Sequence, residues 1–259
     1  MPVSPQPWIS VVVPIQDERD NLPPLTSQLL KFLEGRKESV HHPFEIIFVD
    51  DGSVDGSAPL LKQISRQHKE IQVVHFDRNY GQTAAFDAGF QVARGEWVVT
   101  LDGDLQYDPT DIGALLPLTG QYDVVCGVRR QRQDNLIRRW SSTLARAVRN
   151  AVIHDDCTDT GCSLKMFHRP VLERIPRFHG MHRFFPALVK MYGFSVAEAP
   201  VKHFPRAHGQ SKYGIRNRLF AGLYDLLAVQ WMQHRKLNYT VKCKWDDSDQ
   251  EERLHSHDR

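Results

Sequence analysis

Short apolar runs that stop abruptly at acidic or glycine-bearing turns recur through the first half of the chain, and they leave few folds open. Trp8–Pro14, Phe44–Val49, Ile71–Phe76, Trp97–Leu101 and Asp123–Gly127 are such runs, rich in Val, Ile and Phe. They match strands buried on both faces, and all fall short of the roughly 10–12 residues a helix requires. Segments with helical spacing lie between them: Asp20 to about Glu34, Asp55 to Lys69, Gly81 to Arg94 and Asp111 to Leu118. Strands alternating with helices predict an α/β fold, an open and mainly parallel sheet flanked by helices.

Ligands of such sheets bind beyond the carboxyl ends of the strands. The residues expected there are Pro14 to Glu18, Asp50 and Asp51, Arg78 to Gln82, Asp102 to Gln106, and Arg129 with Arg130. No G-x-G-x-x-G or Walker loop follows any strand, so the usual dinucleotide and ATP cradles are absent from the pattern. The sharpest local signal is Asp102-Gly103-Asp104-Leu105-Gln106. In an extended segment Asp102, Asp104 and Gln106 share one side, at i, i+2 and i+4. Hard oxygen ligands of this kind suit Mg²⁺ or Mn²⁺ shared with a diphosphate. The bland alternative is that strand-end aspartates cap the following turn. That alternative accounts for Asp55 better than for Asp50 or Asp51, which could accept hydrogen bonds from a ribose or a base.

Several motifs in order resemble the inverting family-2 glycosyltransferases. They are Pro14-Ile15-Gln16-Asp17-Glu18, Val49-Asp50-Asp51-Gly52-Ser53, Asn79-Tyr80-Gly81, Asp102 to Gln106 with Asp108-Pro109, and Gly127-Val128-Arg129. Asp159-Thr160-Gly161-Cys162 and Arg206-x-x-Gly209-x-Ser211-Lys212 bring the likeness closest to the polyprenyl-phosphate glycosyltransferases, the dolichol-phosphate mannose synthase group. The resemblance spans about residues 8–236. It implies a GT-A (Rossmann-like) fold, a UDP- or GDP-linked sugar donor and a polyprenyl phosphate acceptor. It further implies that Pro14, Gln16, Glu18, Asp50 and Asp51 line the donor, with Asp102, Gly103, Arg206 and Lys212. Asp102, Asp104 and Gln106 would hold the metal, Arg129 would meet phosphate charge, and Arg138 and Ser142 would serve the acceptor phosphate. Asp159 could orient the acceptor or take a proton from a hydroxyl; helix capping or an ion pair is the alternative. Asp17 stands where the family usually has Asn.

Formal net charge is only +2, yet it is unevenly spread. Residues 1–120 hold 9 Lys/Arg and 17 Asp/Glu, whereas residues 121–259 hold 24 and 14. The second half is therefore expected to meet anions. Two basic amphipathic helices are read there, over Ile137–Ile153 and Tyr213–His234. Arg138, Arg139, Arg146 and Arg149 lie on the first, and Trp140, Trp231 and Met232 are either core or interfacial. The expectation is a peripheral protein on the cytoplasmic face of an anionic membrane. The alternative is that both helices pack on the sheet with a solvated basic face. Aromatic platforms of RNA-binding modules are not evident, so nucleic acid is not an expected partner.

One domain over residues 1–236 is expected, its nucleotide-sugar half at about 8–130 and its acceptor-facing half at about 131–236. The polar stretch 237–259 reads as a disordered tail. Leu219–Met232 is interrupted by Asp225 and Gln230 and is too short to span a bilayer, which takes about 18 apolar residues. Four cysteines without a leader pattern suggest a reduced, cytosolic setting. His154, Cys157 and Cys162 offer three zinc ligands at most. Rival readings are a same-fold transferase to a sugar or protein hydroxyl, a phosphohydrolase using Asp102, and a non-catalytic nucleotide-sugar adaptor. Leu136, where processive synthases carry Gln before Arg139-Trp140, argues against polymerisation.

Overall fold

The computed structural model describes residues 6–40, 43–129, 148–153, 155–206 and 215–237, with 36–40 and 215–221 described through the main chain alone. Seven strands form one sheet: β1 (Ile9–Ile15), β2 (Phe44–Asp50), β3 (Ile71–His75), β4 (Trp97–Thr100), β5 (Val124–Arg129), β6 (Lys165–His168) and β7 (Val196–Val201). Their order is β3-β2-β1-β4-β6-β5-β7. β6 runs antiparallel to β4 and β5, and the other pairings are parallel. The helices are α1 (Leu22–Val40), α2 (Ser57–Gln67), α3 (Gln82–Val92), α4 (Ile112–Leu115), α5 (residues 148–153), α6 (Arg169–Arg174), α7 (Phe185–Met191) and α8 (Ile215–Arg235).

The alternation of side chains along each strand divides the core into two layers. Ile9, Val11, Val13 and Ile15 of β1 face α1 residues Leu22, Leu25 and Leu29. Val12 of β1 with Ile47 and Val49 of β2 faces the opposite way, into Phe86 and Phe90 of α3, Phe185 of α7, and Leu226 and Val229 of α8. An apolar run with no polar alternation is what a sheet covered on both faces demands, and β1 and β2 are buried along nearly their whole length.

The five expected strands are present within two residues of their expected ends. The segment expected as one helix from Asp111 to Leu118 is instead α4 between two 3₁₀ turns, Pro109–Asp111 and Leu116–Leu118. Pro117 lies in the second of these turns, and a proline lacks the N–H that would extend the helical ladder. Asp108 caps the first, accepting from the Thr110 N–H at 2.8 Å. β6 matters most for the site. Being antiparallel, it begins where its parallel neighbours end, and so delivers Asp159 to Lys165 to the carboxyl edge of the sheet. Among the described residues no helix is long and apolar enough to cross a membrane.

Candidate active site

Strand ends bring the acidic motifs to one edge. After β1, residues 16–18 are tied to the loop after β2. Asp17 donates its N–H to Ser53 Oγ at 2.9 Å and accepts from the Val54 N–H at 2.8 Å. Asp17 therefore supplies an acceptor oxygen, as an asparagine there could. Its φ of 52° is left-handed, a conformation that Asp and Asn adopt more readily than other non-glycine residues. Glu18 donates its N–H to Ser57 Oγ at 3.2 Å and accepts from Asn21 Nδ2 at 2.5 Å.

The two aspartates after β2 divide their work. Asp50 is fully buried, bonded to His75 Nδ1 at 2.6 Å and accepting from the Ser53 N–H at 3.2 Å. Asp51 accepts from the N–H groups of Tyr80 at 2.6 Å and Gly81 at 2.9 Å, and so braces the loop that enters α3. Gly52 makes this approach possible. Its φ is +67°, and a Cβ there would stand 2.3 Å from the Arg78 carbonyl carbon.

Asp102-Gly103-Asp104 turns against the end of β1. A Cβ on Gly103 would come within 2.5 Å of Ile15 Cδ1 and 3.2 Å of the Pro14 carbonyl oxygen. Asp102 accepts from Gln82 Nε2 at 2.8 Å. Burial, and next the Asp104 carboxylate, push Asp102 up to about 6 against the pull of Ser163, Lys165 and Arg206. Asp104 accepts from the Gln106 N–H at 3.1 Å and from Arg206 Nη2 at 2.8 Å. Arg206 also lies 4.0 Å from Glu18. Two oxygen-bearing carboxylates that repel one another, with an arginine as their counter-ion, fit a divalent cation whose remaining ligands come from a bound phosphate. Among the described residues no cluster of three or more His, Cys, Asp or Glu could complete a metal site without such a ligand. Gln106, expected as a third ligand, is engaged with the segment carrying Arg206: its Nε2 donates to the Phe204 carbonyl at 3.4 Å, and its own carbonyl accepts from the Phe204 N–H at 2.9 Å. Leu105 between them is also left-handed, at φ 59°.

Arg129, at the end of β5, forms a two-pronged pair with Asp159, Nε–Oδ2 at 2.6 Å and Nη2–Oδ1 at 2.7 Å. The ion-pair alternative for Asp159 is thus the arrangement found. Tyr107 is buried close to Arg129 and Cys162, and burial raises its phenol well above the usual range, so it stays protonated.

A cavity of about 430 Å³ opens on the far side of Asp102, walled by Gln82, Thr160, Ser163, Lys165, His182 and Arg183 among others. Lys165 is buried and donates to the carbonyls of Cys162 and Thr160. His182 bonds through Nδ1 to Thr83 Oγ1 at 2.7 Å, and that hydroxyl also accepts from the Gly180 N–H at 3.0 Å. These residues give the Gly180-Met181-His182-Arg183 segment a place in the wall. Sequence reasoning gave Lys165 no role; its only signal is a lone cation inside the apolar run Leu164–Phe167.

Arg130, Arg138, Ser142, Lys212, Trp140, Arg146 and His154 lie outside the described residues. Arg149, expected on a basic outer face, turns inward instead. It lies 3.2 Å from Asp155 and donates to the Cys157 carbonyl at 3.0 Å. Buried Asp155 needs a cation, which explains the inward turn. Met232 packs into the core beneath α8, while Trp231 is exposed.

A family model described as glycosyl transferase family 2 matches residues 10–176. The undecaprenyl-phosphate 4-deoxy-4-formamido-L-arabinose transferase of Edwardsiella ictaluri is 37% identical over 222 residues, 85% of this chain and 67% of that protein. The dodecaprenyl-phosphate galacturonate synthase of Rhizobium johnstonii is 36% identical over 234 residues, 88% of this chain and 68% of that protein. The chain thus spans about two thirds of the length of these relatives. Among solved structures, mannosyl-3-phosphoglycerate synthase from Rubrobacter xylanophilus aligns with a TM-score of 0.67 at 16% identity, covering 93% of this chain and 79% of that one. Glucosyl-3-phosphoglycerate synthase from Mycobacterium tuberculosis, in complex with Mn²⁺, UDP and glucosyl-3-phosphoglycerate, aligns with a TM-score of 0.60 at 18% identity over 92% of this chain and 83% of that one. These structures share the fold.

Proposed function

The chain belongs to glycosyl transferase family 2, and from that premise we propose that it moves a sugar from a UDP- or GDP-linked donor to a polyprenyl phosphate, with inversion, at the cytoplasmic surface of a membrane. The observation that carries the proposal is the Asp102–Asp104 pair at the end of β4, balanced by Arg206 and open on one side to a cavity. The acceptor class is supported by the polyprenyl-phosphate transferases among its relatives.

In this reading Pro14, Gln16, Glu18 and Asp51 line the nucleoside, and Asp50 stiffens the turn beneath it. Asp102 and Asp104 would hold Mg²⁺ or Mn²⁺, which supplies charge neutralisation at the donor diphosphate. Arg206 adds a second positive charge at the same carboxylate, and Gln106 holds the Arg206 segment in place. Lys212 would close over the donor, and Arg138 and Ser142 would receive the acceptor phosphate. Arg129 would meet phosphate charge, and its two-pronged pair with Asp159 keeps the guanidinium oriented. A lipid phosphate monoester is already an anion near neutral pH, so attack on the anomeric carbon requires alignment rather than a strong base. The chain's task is to hold the two reactants in line and to stabilise the leaving diphosphate.

The test is transfer by the purified chain with Mn²⁺, offering UDP- and GDP-sugars against polyprenyl phosphate, polyprenol and sugar hydroxyl acceptors. The reading expects a β-linked glycosyl phosphate from an α-linked donor, and only with the phosphorylated lipid. Transfer confined to hydroxyl acceptors, or none from folded protein, contradicts it.

A further inference from the structure

We infer that Thr83 is a positioning residue for the transferred sugar: it fixes His182 in the wall of the cavity beyond Asp102, and His182 helps select which sugar is taken. The inference rests on the proposed transferase reading and goes further into the same site. The first two residues of α3 hold two parts of that wall. Gln82 donates from Nε2 to Asp102 at 2.8 Å, beside the position proposed for the cation. Thr83 is buried, and its hydroxyl meets both His182 Nδ1 at 2.7 Å and the Gly180 N–H at 3.0 Å. Gln82, His182 and Arg183 all line the cavity. Asp51 anchors the entry to α3 through the N–H groups of Tyr80 and Gly81. One short segment therefore connects the edge proposed for the nucleoside with the wall beyond Asp102.

The hydrogen bonds at Thr83 fix the state of the ring. A threonine hydroxyl has one proton to give and two lone pairs. The Gly180 N–H occupies one lone pair of Thr83 Oγ1, and the hydroxyl proton bridges to Nδ1. In neutral His182 the ring proton is thereby carried on Nε2. The opposite tautomer would bring two N–H donors to one buried hydroxyl and deny its proton this acceptor. The backbone leading into the ring is held as well. Gly180 has φ +93°, and a Cβ there would stand 2.6 Å from Asp225 Oδ2. A purely packing role would be met by an apolar pair, since Phe86 and Phe185 already line this part of the cavity. A polar wall of fixed orientation beside the acid pair can instead discriminate among sugars, because a site built to pair a hydroxyl rejects the analogue lacking it.

The test is calorimetric titration of the full chain with Mn²⁺ present, using UDP-glucose, UDP-glucuronate, UDP-xylose and GDP-mannose, and UDP and GDP alone. The quantity read is the ratio of affinities for the tightest sugar-linked nucleotide and its own nucleoside diphosphate. Thr83→Val should lower that ratio by about 3–10-fold, the size of one lost hydrogen bond, with diphosphate binding unchanged. Thr83→Ser keeps the hydroxyl and should restore the parent ratio. His182→Ala should lower the ratio to a similar extent, and adding Thr83→Val to it should change little further. Long-range proton–nitrogen NMR spectra should show the His182 proton on Nε2 in the parent and a mixture of tautomers in Thr83→Val. An unchanged ratio in Thr83→Val or in His182→Ala overturns the inference. So do additive effects of the two, an equal loss of diphosphate binding, or a His182 protonated on Nδ1 in the parent. If Thr83→Val does not fold, His182→Ala decides by the same ratio. A folded parent chain that binds neither the diphosphates nor any sugar-linked form would instead count against the transferase reading.

Discussion

Two arginine–carboxylate pairs flank the candidate active site, and they differ in kind. Arg129–Asp159 is two-pronged and withdrawn from solvent, its side chains 15% and 5% exposed. Arg206–Asp104 has one contact at 2.8 Å, an arginine 30% exposed, and a second carboxylate, Glu18, at 4.0 Å. The first has the geometry of a fixed part. The second has the geometry of a counter-ion that can be exchanged, since Asp104 keeps a buried charge while its partner is reachable from solvent. A site that must take up a cation and a diphosphate needs one of each.

Breaking the fixed pair should have the largest effect. Arg129→Ala leaves a buried carboxylate uncompensated and should lower unfolding stability by about 3–5 kcal/mol, read from denaturant melts. Removing both partners with Arg129→Leu/Asp159→Leu should restore much of that loss while leaving transfer impaired. If Arg129→Ala melts like the parent, the pair is not structural.

The exchangeable pair should separate chemistry from stability. Asp104→Asn should reduce turnover by about 10²–10³-fold with little change in melting temperature. Near-normal turnover would remove Asp104 from the metal site. Arg206→Ala should weaken donor binding by about 10–100-fold, as expected for a lost charged hydrogen bond. Its effect on stability should be smaller than that of Arg129→Ala, because the Arg206 guanidinium is 30% exposed against 15% for Arg129 and water can take over part of its role. A melting loss in Arg206→Ala as large as in Arg129→Ala would erase the contrast between the pairs.

The same contrast explains what could be read from the sequence. Strands β1 to β4 and the acids at their ends are local features, apolar runs closed by Asp50-Asp51 or Asp102-Gly103-Asp104, and periodicity finds them. β6 has four residues, too few for a period, and β7 carries Pro200 and alternates only weakly in burial. The partnerships are less visible still. Arg206 meets Asp104 across 102 residues, and Arg129 meets Asp159 across 30. Spacing along a chain holds no record of such contacts. Arg149 shows the opposite failure: charge and helical spacing placed it outward, and the buried Asp155 turned it in. Trp231 remained undecided between core and interface until the packing of Leu226 and Val229 showed which face of α8 was already taken.

The central claim, a cation-dependent site for a nucleotide-linked sugar, is tested most directly by thermal shift with UDP- and GDP-sugars, each with and without Mn²⁺. A ligand that binds only the folded chain raises its stability by about 2.7 kcal/mol at a hundredfold excess over Kd. The account predicts a shift with one nucleotide family that requires Mn²⁺ and disappears in Asp104→Asn. A shift of equal size without Mn²⁺, or one that survives Asp104→Asn, would contradict it.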